Sequence, residues 1–278
     1  MSRAHLLSWS FELDRIARVL AIAREELMFR VLDENGWLEL SRRLYGRSVK
    51  YADGSAHNES GLFDFERLAI ERYFPPPPAS ILVGACGGGR ELFALVELGY
   101  RIASAYDPVA PFIEALRRDS RLLEAKDRLY IGTHQALDSI GLVSGQDSGT
   151  GRVDAVVVGW GSYTHLLRAA RRVAFLRSLR SLCPRGPVLL SFFVASGATE
   201  GERPERLRSN LRRLLGTDDS MIEAGDRVHG GTGGIHYFTE TSFVAEAERA
   251  GYTVRHYQEH EVSAAHAVLI PNSTAVTG

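Results

Sequence analysis

Cysteine is nearly absent. With only Cys86 and Cys183 in 278 residues, a disulfide-built scaffold and a cysteine-rich metal centre are both excluded. Lysine is as scarce: Lys50 and Lys126 are the only two, so arginine carries the basic charge. The formal net charge of −1 supplies no global field for gripping a nucleic acid. No apolar run approaches the ~20 residues that cross a bilayer, and nothing resembles a secretory leader, so a cytoplasmic protein without a membrane partner is expected. Residues able to hold a divalent cation are not clustered, and no metal is expected. What remains, at 45% hydrophobic, suits one ordinary α/β domain with an elaboration.

The informative stretch is Ile81 to Leu92, ILVGACGGGREL. It opens as a buried-strand run, breaks into glycines and continues in a helical pattern. Asp107 follows about 20 residues later, at the end of the strand-like RIASAYD. Glycines permit positive φ and close approach of a ligand to the main chain, and the helix that follows offers unpaired N–H groups. A carboxylate at the end of the second strand is placed to accept the two hydroxyls of a ribose lying across the strand ends. Strand, helix, strand and acid in that order predict a nucleotide pocket.

Further runs repeat the alternation. Strands are expected at about 80–84, 101–106, 128–132, 154–159, 187–193, 252–259 and 264–270, and helices at about 89–98, 109–119, 166–182 and 240–250. The parallel members read as nearly continuous apolar runs, as burial on both faces requires. The fold class expected is α/β, a doubly wound, mostly parallel seven-stranded sheet ending in an antiparallel hairpin. Before it, Leu13, Ile16, Leu20, Ala23, Leu27 and Val31 recur at spacings of three and four, so about 11–32 reads as an amphipathic helix packed onto the domain. Tyr45 to Gly61 reads as a loop, and a short helix near Phe63 to Tyr73 precedes Pro75 to Pro78. The division expected is a helical extension at 1–78 and a core at 79–278, with QDSGTG (146–151) as a surface turn and a lid-like insertion at about 195–235 that contains the arginine-rich helix and a GDRVHGGTGG loop.

From about Ala79 onward the chain resembles the class I S-adenosylmethionine-dependent methyltransferases. The resemblance rests on ILVGACGGG, the acid of AYDP, the strand VDAVVVGWGSY, the segment LCPRGPVLLSFF and the closing HYFTETSFVAEAERAGYTV. It implies S-adenosylmethionine as cofactor and methyl transfer to an O or N atom of a small molecule. It further implies that Gly84, Ala85, Cys86, Gly87 and Gly89 form the cofactor turn, that Asp107 and Pro108 stand at the ribose, and that His134 and Gln135, after Thr133, bracket the adenine. Trp160 and Gly161 would follow the fourth strand where cofactor meets substrate, and the N-terminal helices would cover the substrate. Two positions depart from the family pattern. Ala85 stands at the first glycine, which a small residue satisfies if its φ stays negative, and Val83 stands where an acid is common; Arg90 and Glu91 are the replacements at hand.

A general base is needed only when the acceptor begins protonated. His165, His229 and His236 are the candidates, with Tyr163 as a positioning group; His236 and Tyr163 are the pair selected, and His165, at a helix start, is read as structural. Arg203, Arg206, Arg208, Arg212 and Arg213 flank an apolar stripe of Leu207, Leu211 and Leu215, so a solvated helix face is expected. The strand end VVGWGSY lacks the acid or amide, two prolines and aromatic of amino-methylating DNA enzymes, so no nucleic-acid substrate is expected. Two other functions fit the same residues: a NAD(P)-dependent oxidoreductase, and a cofactor-binding regulatory protein without turnover. The oligomeric state is not legible.

Overall fold

The strand-like runs pair into a seven-stranded sheet in which only the last-inserted strand opposes its neighbours. The computed structural model describes residues 3–139, 152–195, 202–216, 222–260 and 264–273, so the surface turn expected at 146–151 and part of the expected insertion lie outside the described residues. The extension comprises α1 (Arg3–Val31), α2 (Glu34–Gly46) and α3 (Asp64–Tyr73). The core continues with β1 (Ser80–Gly84), α4 (Arg90–Glu97), β2 (Arg101–Asp107), α5 (Ala110–Leu116), β3 (Leu129–Ile131) and β4 (Ala155–Val158). Then come α6 (Ala169–Leu182), β5 (Val188–Phe193), α7 (Glu202–Leu215), β6 (Asp226–His229), β7 (Gly233–His236), α8 (Glu240–Arg249), β8 (Tyr252–His260) and β9 (Ala264–Pro271).

The sheet order is β3-β2-β1-β4-β5-β9-β8. β1 to β5 are parallel, and β9 lies antiparallel between β5 and β8. Period-two alternation sends successive side chains to opposite faces. Ile81, Val83, Ala105 and Val157 pack with α3, α4 and α5, whereas Leu82, Tyr106, Val156 and Val158 pack with α6 and α8. Every residue of β1 is buried, and the continuous apolar run is the consequence of two covered faces. Chain order reverses between β1 and β4, which opens a crevice at their C-terminal ends.

Three local expectations need correction. The GDRVHGGTGG stretch is a two-stranded antiparallel hairpin, β6 paired with β7, because Gly233 takes φ 94° where the return strand begins. The arginine-rich helix α7 is not a solvated face: Arg208 and Arg212 are buried against α1, Arg208 Nη1 2.9 Å from Glu25 Oε2 and Arg212 Nε 2.8 Å from Glu26 Oε2. Arginine is tolerated there because α1 supplies carboxylates at matching heights. The third concerns α1, whose predicted stripe faces away from the domain: Leu13 is 60% exposed and Leu20 63%.

Arg172 of α6 ties these parts together. Fully buried, it donates from Nε and Nη2 to Glu246 of α8 at 2.8 and 2.7 Å, to Glu223 ahead of β6 at 2.6 Å, and to the Leu166 carbonyl at 3.0 Å. Its carboxylate partners hold the guanidinium well above the ordinary arginine pKa although burial opposes this. Truncation leaves Glu246 buried without its counter-charge. Arg172→Met is expected to cost about 3–5 kcal/mol of unfolding free energy, read by urea denaturation; a loss no larger than that of a surface arginine would contradict the role given to this network.

Candidate functional site

Backbone geometry at the end of β1 builds the floor of the site. Ala85, Gly87 and Gly89 all adopt left-handed conformations, with φ of 49°, 52° and 97°. Ala85 therefore keeps the turn with a positive φ, contrary to the expectation of a negative one, and carries a conformational cost of about 1 kcal/mol that a glycine would not. Cys86 N–H donates to the Tyr106 carbonyl at 3.0 Å, and its thiol is buried, which raises its pKa. Gly89 N–H returns to the Cys86 carbonyl at 2.9 Å and starts α4.

Asp107 fixes this turn to the next strand. Oδ2 accepts the Gly87 N–H at 2.9 Å and Oδ1 accepts the Val109 N–H at 2.8 Å. Burial outweighs these two bonds and pushes the carboxyl up to about 6. Each oxygen has a further lone pair, so the group can still accept from a ligand hydroxyl.

Val83 leaves the corner without its usual acid, and α4 provides one. Glu91 is buried and its Oε1 accepts the Trp160 N–H at 3.1 Å, tying α4 to the loop after β4. Arg90 neutralises it: Nη2 reaches Glu91 at 2.6 Å and Glu66 at 2.7 Å, Nη1 reaches Glu66 at 2.6 Å and the Gly61 carbonyl at 2.8 Å, and the guanidinium stacks 4.0 Å from the Phe63 ring centre.

These turns open into one cavity with α2 over it. Its wall takes in Ala85 to Gly88 after β1, Asp107 to Val109 after β2, Thr133 to Gln135 after β3, and Trp160, Ser162 and His165 after β4. Of the cofactor residues expected, Ala85, Cys86, Gly87, Asp107, Pro108, His134, Gln135 and Trp160 line this cavity, whereas Gly84, Gly89 and Gly161 are not part of its lining. Gly161 is buried and donates to Ser191 Oγ at 2.8 Å. His134 already has a partner, its Nδ1 2.7 Å from the Tyr106 hydroxyl, and burial lowers it to about 3.

The predicted catalytic pair is not in the cavity wall. Tyr163 is wholly buried in the core, its ring stacked on Phe238 at 5.3 Å, because the 3-10 turn Ser162–His165 rotates it inward. His236 is also buried, with Nδ1 2.7 Å from Asp226 Oδ1 across the β6–β7 hairpin. His229 is exposed and holds Gly231 and Thr232 of the hairpin turn.

His165 takes the place expected for His236. Its Nδ1 donates to the Gly234 carbonyl at 3.0 Å, which leaves Nε2 unprotonated in the neutral ring, and Nε2 accepts the Tyr45 O–H at 2.9 Å. Burial lowers His165 to about 4 and raises the Tyr45 phenol far above its ordinary value. Tyr45 belongs to α2, which the sequence reading missed. Asp33 caps that helix at the Gly36 N–H, 2.8 Å, and Trp37, Leu38, Ser41, Arg42 and Tyr45 recur along the face that lines the cavity. That spacing was the available signal, obscured by the polar residues between. Two further bonds seat the helix: Arg42 Nε donates to the Pro108 carbonyl at 3.0 Å and Ser41 Oγ to the Thr232 carbonyl at 3.0 Å. Among the described residues no group of three or more histidine, cysteine or acidic side chains is arranged to hold a metal, and no helix is long and apolar enough to cross a membrane.

No protein-family model matches the sequence, and no curated protein matches it. Solved structures do resemble it. A protein of Pyrococcus horikoshii OT3 superposes with a TM-score of 0.55 at 19% identity, covering 83% of this chain and 99% of that one. The CcbJ methyltransferase of Streptomyces caelestis gives 0.53 at 15% identity, covering 84% and 96%. The 1,6-didemethyltoxoflavin-N1-methyltransferase of Burkholderia thailandensis, solved with 1,6-didemethyltoxoflavin and S-adenosylhomocysteine, gives 0.50 at 15%, covering 93% and 90%. With the antiparallel β9 between β5 and β8, these likenesses establish the fold as that of the class I methyltransferases.

The two halves of the cavity floor approach so closely that one position admits only glycine. Gly159 N–H donates to the Gly84 carbonyl at 2.7 Å, and a methyl group on Gly159 would meet the Ala85 carbonyl oxygen at a distance no real side chain shows. Gly159→Ala is expected to lose about 1–3 kcal/mol in thermal or urea unfolding by forcing the turns after β1 and β4 apart. Unchanged stability would show that the turns separate freely.

Proposed function

We propose that this protein is an S-adenosylmethionine-dependent methyltransferase acting on a hydroxyl group of a small aromatic molecule. The observation that carries the reading is the convergence of the turns after β1, β2, β3 and β4 on one cavity whose wall also holds the Tyr45–His165 pair. The cavity residues fit the cofactor chemically. The buried Asp107 keeps lone pairs for ribose hydroxyls, the main chain at Gly87 faces open space where a carboxylate can approach, and Gln135 presents an amide near the adenine position. When bound, S-adenosylmethionine supplies an electrophilic methyl group on a sulfonium, with a neutral thioether as leaving group. Most of the acceleration asked of the protein is then alignment, worth up to several kcal/mol.

This chain's residues supply the proton path. An acceptor hydroxyl donates to the Tyr45 oxygen, the Tyr45 proton passes to His165 Nε2, and the Gly234 carbonyl steadies the resulting imidazolium through Nδ1. The aromatic wall of Phe29, Trp37, Tyr51 and Phe112 favours a flat, apolar acceptor. Residues 1–78 act as the cover through α2, and the 195–235 insertion contributes through Gly234 of β7. A small-molecule acceptor suits a cavity roofed in this way, and a nicotinamide-dependent oxidoreductase is disfavoured by the antiparallel β9.

Calorimetry with S-adenosylhomocysteine and with NAD tests the reading directly. Binding of the first and not of the second is expected; the reverse selects the oxidoreductase. Asp107→Ala should weaken S-adenosylhomocysteine by roughly 1–3 kcal/mol. The ionised carboxylate is the form that accepts from both hydroxyls, and Asp107 protonates as pH falls through about 6. Affinity should therefore drop roughly tenfold from about pH 7.5 to about pH 5 in the native protein and stay flat in a folded Asp107→Asn variant. In product assays with phenolic acceptors, His165→Gln should lower kcat by about 10²–10⁴ with little change in S-adenosylhomocysteine binding. Retention of full kcat would remove His165 from the proton path.

A further inference from the structure

The stripe predicted on α1 is real, but it has no partner within the chain. Every residue from Phe11 to Ala21 is exposed, so three turns of helix project from the body with nothing packed against any side. Contact with the protein begins beyond them, where Ile22 is partly buried, Glu25 meets Arg208, and Glu26 and Phe29 are buried toward α7 and the core. An isolated helix of this length is marginal in water, and one that bears large apolar side chains has more reason to be covered.

The apolar residues of the stripe are ordered. Trp9, Leu13, Ile16, Leu20, Ala23 and Leu27 follow steps of four, three, four, three and four, the seam of a coiled coil. Val31 extends it into a shallow apolar groove where α1 meets α2, lined also by Leu32 and Leu40. Exposures of 62% for Trp9, 54% for Ile16, 49% for Leu27 and 69% for Val31, with those of Leu13 and Leu20, amount to roughly 700 Å² of open surface, close to the ~800 Å² each partner gives to a stable interface.

We propose that α1 is the dimer interface of this protein, pairing antiparallel with α1 of a second copy about a two-fold axis at Leu20. Residue numbers that sum to 40 face each other, so Trp9 meets the partner's Val31, Leu13 meets the partner's Leu27, the two Leu20 side chains meet on the axis, and Ile16 lies level with the partner's Arg24, whose aliphatic stem covers it. The flank carrying Glu12 comes beside the partner's Arg30, opposite charges on the same side of the seam. A parallel pairing would instead set Glu12 beside the partner's Ala17, with no opposite charge to meet.

The test uses the full-length protein in light scattering coupled to size exclusion, together with oxidative cross-linking. The native chain is expected at twice its 30.7 kDa mass. Leu20→Glu should run as a folded monomer with an unchanged far-UV spectrum of the core and unchanged S-adenosylhomocysteine binding, while Val49→Glu, exposed but off the stripe, should remain dimeric. Leu20→Cys should give a disulfide-linked dimer on oxidation, whereas Leu13→Cys should cross-link only when mixed with Leu27→Cys. A native monomer overturns the proposal, whether or not it floats with vesicles of neutral and anionic phospholipid, as does a dimer that survives Leu20→Glu or a Leu13→Cys variant that cross-links to itself. None of these outcomes depends on whether the cavity transfers methyl groups.

Discussion

The site is organised around a carboxylate held out of water. Asp107 gives one oxygen to the turn after β1 and the other to the turn after β2, so two loops from neighbouring strands are set by a single side chain. Without that bridge the left-handed run at Ala85 to Gly89 would have to hold its shape against the conformational cost of Ala85 alone. Burial makes the carboxylate costly to ionise, and the N–H groups it accepts from recover part of that cost. Glu91 plays the matching part on the other side, where it joins α4 to the loop after β4 and is neutralised by Arg90. Acidic groups thus hold three of the four turns in register.

The roof is attached by bonds of a different kind. Arg42, Ser41 and Tyr45 lie along one face of α2, and each meets a separate part of the core: the Pro108 carbonyl, the Thr232 carbonyl and His165. Two of the three acceptors are main-chain oxygens, which any residue would offer. Only the Tyr45 bond involves a titratable partner, so the roof shares one contact with the proposed proton path. Opening α2 would break that contact, and under the proposal proton acceptance is coupled to a closed cavity.

Much of the sheet was legible because a strand covered on both faces must be apolar along nearly its whole length, and β1, β4 and β5 are. The antiparallel ending was legible from the turn after α8 and two consecutive strand-like runs. Which histidine lines the cavity was not, because His236 and His165 both stand near motif residues in the chain, and only the inward rotation at Ser162–His165 and the hairpin partner Asp226 separate them. α2 was hidden by its polar residues, and the β6–β7 hairpin by its glycines. The α1 stripe was read correctly as a helix and wrongly as a core face: periodicity reveals that a side is apolar and is silent about what covers it.

The position of β9 governs the order in which the sheet can be completed. β5 precedes it by some 70 residues in the chain, and β8, its other neighbour, cannot join the sheet except through it. While a ribosome is still adding residues 264–271, the growing domain carries a raw hydrogen-bonding border along β5, next to the cluster of Phe192, Phe238 and Phe243. Closure of that border waits for β9, so a nascent sheet of this order is most vulnerable to wrong pairing just before that strand is added.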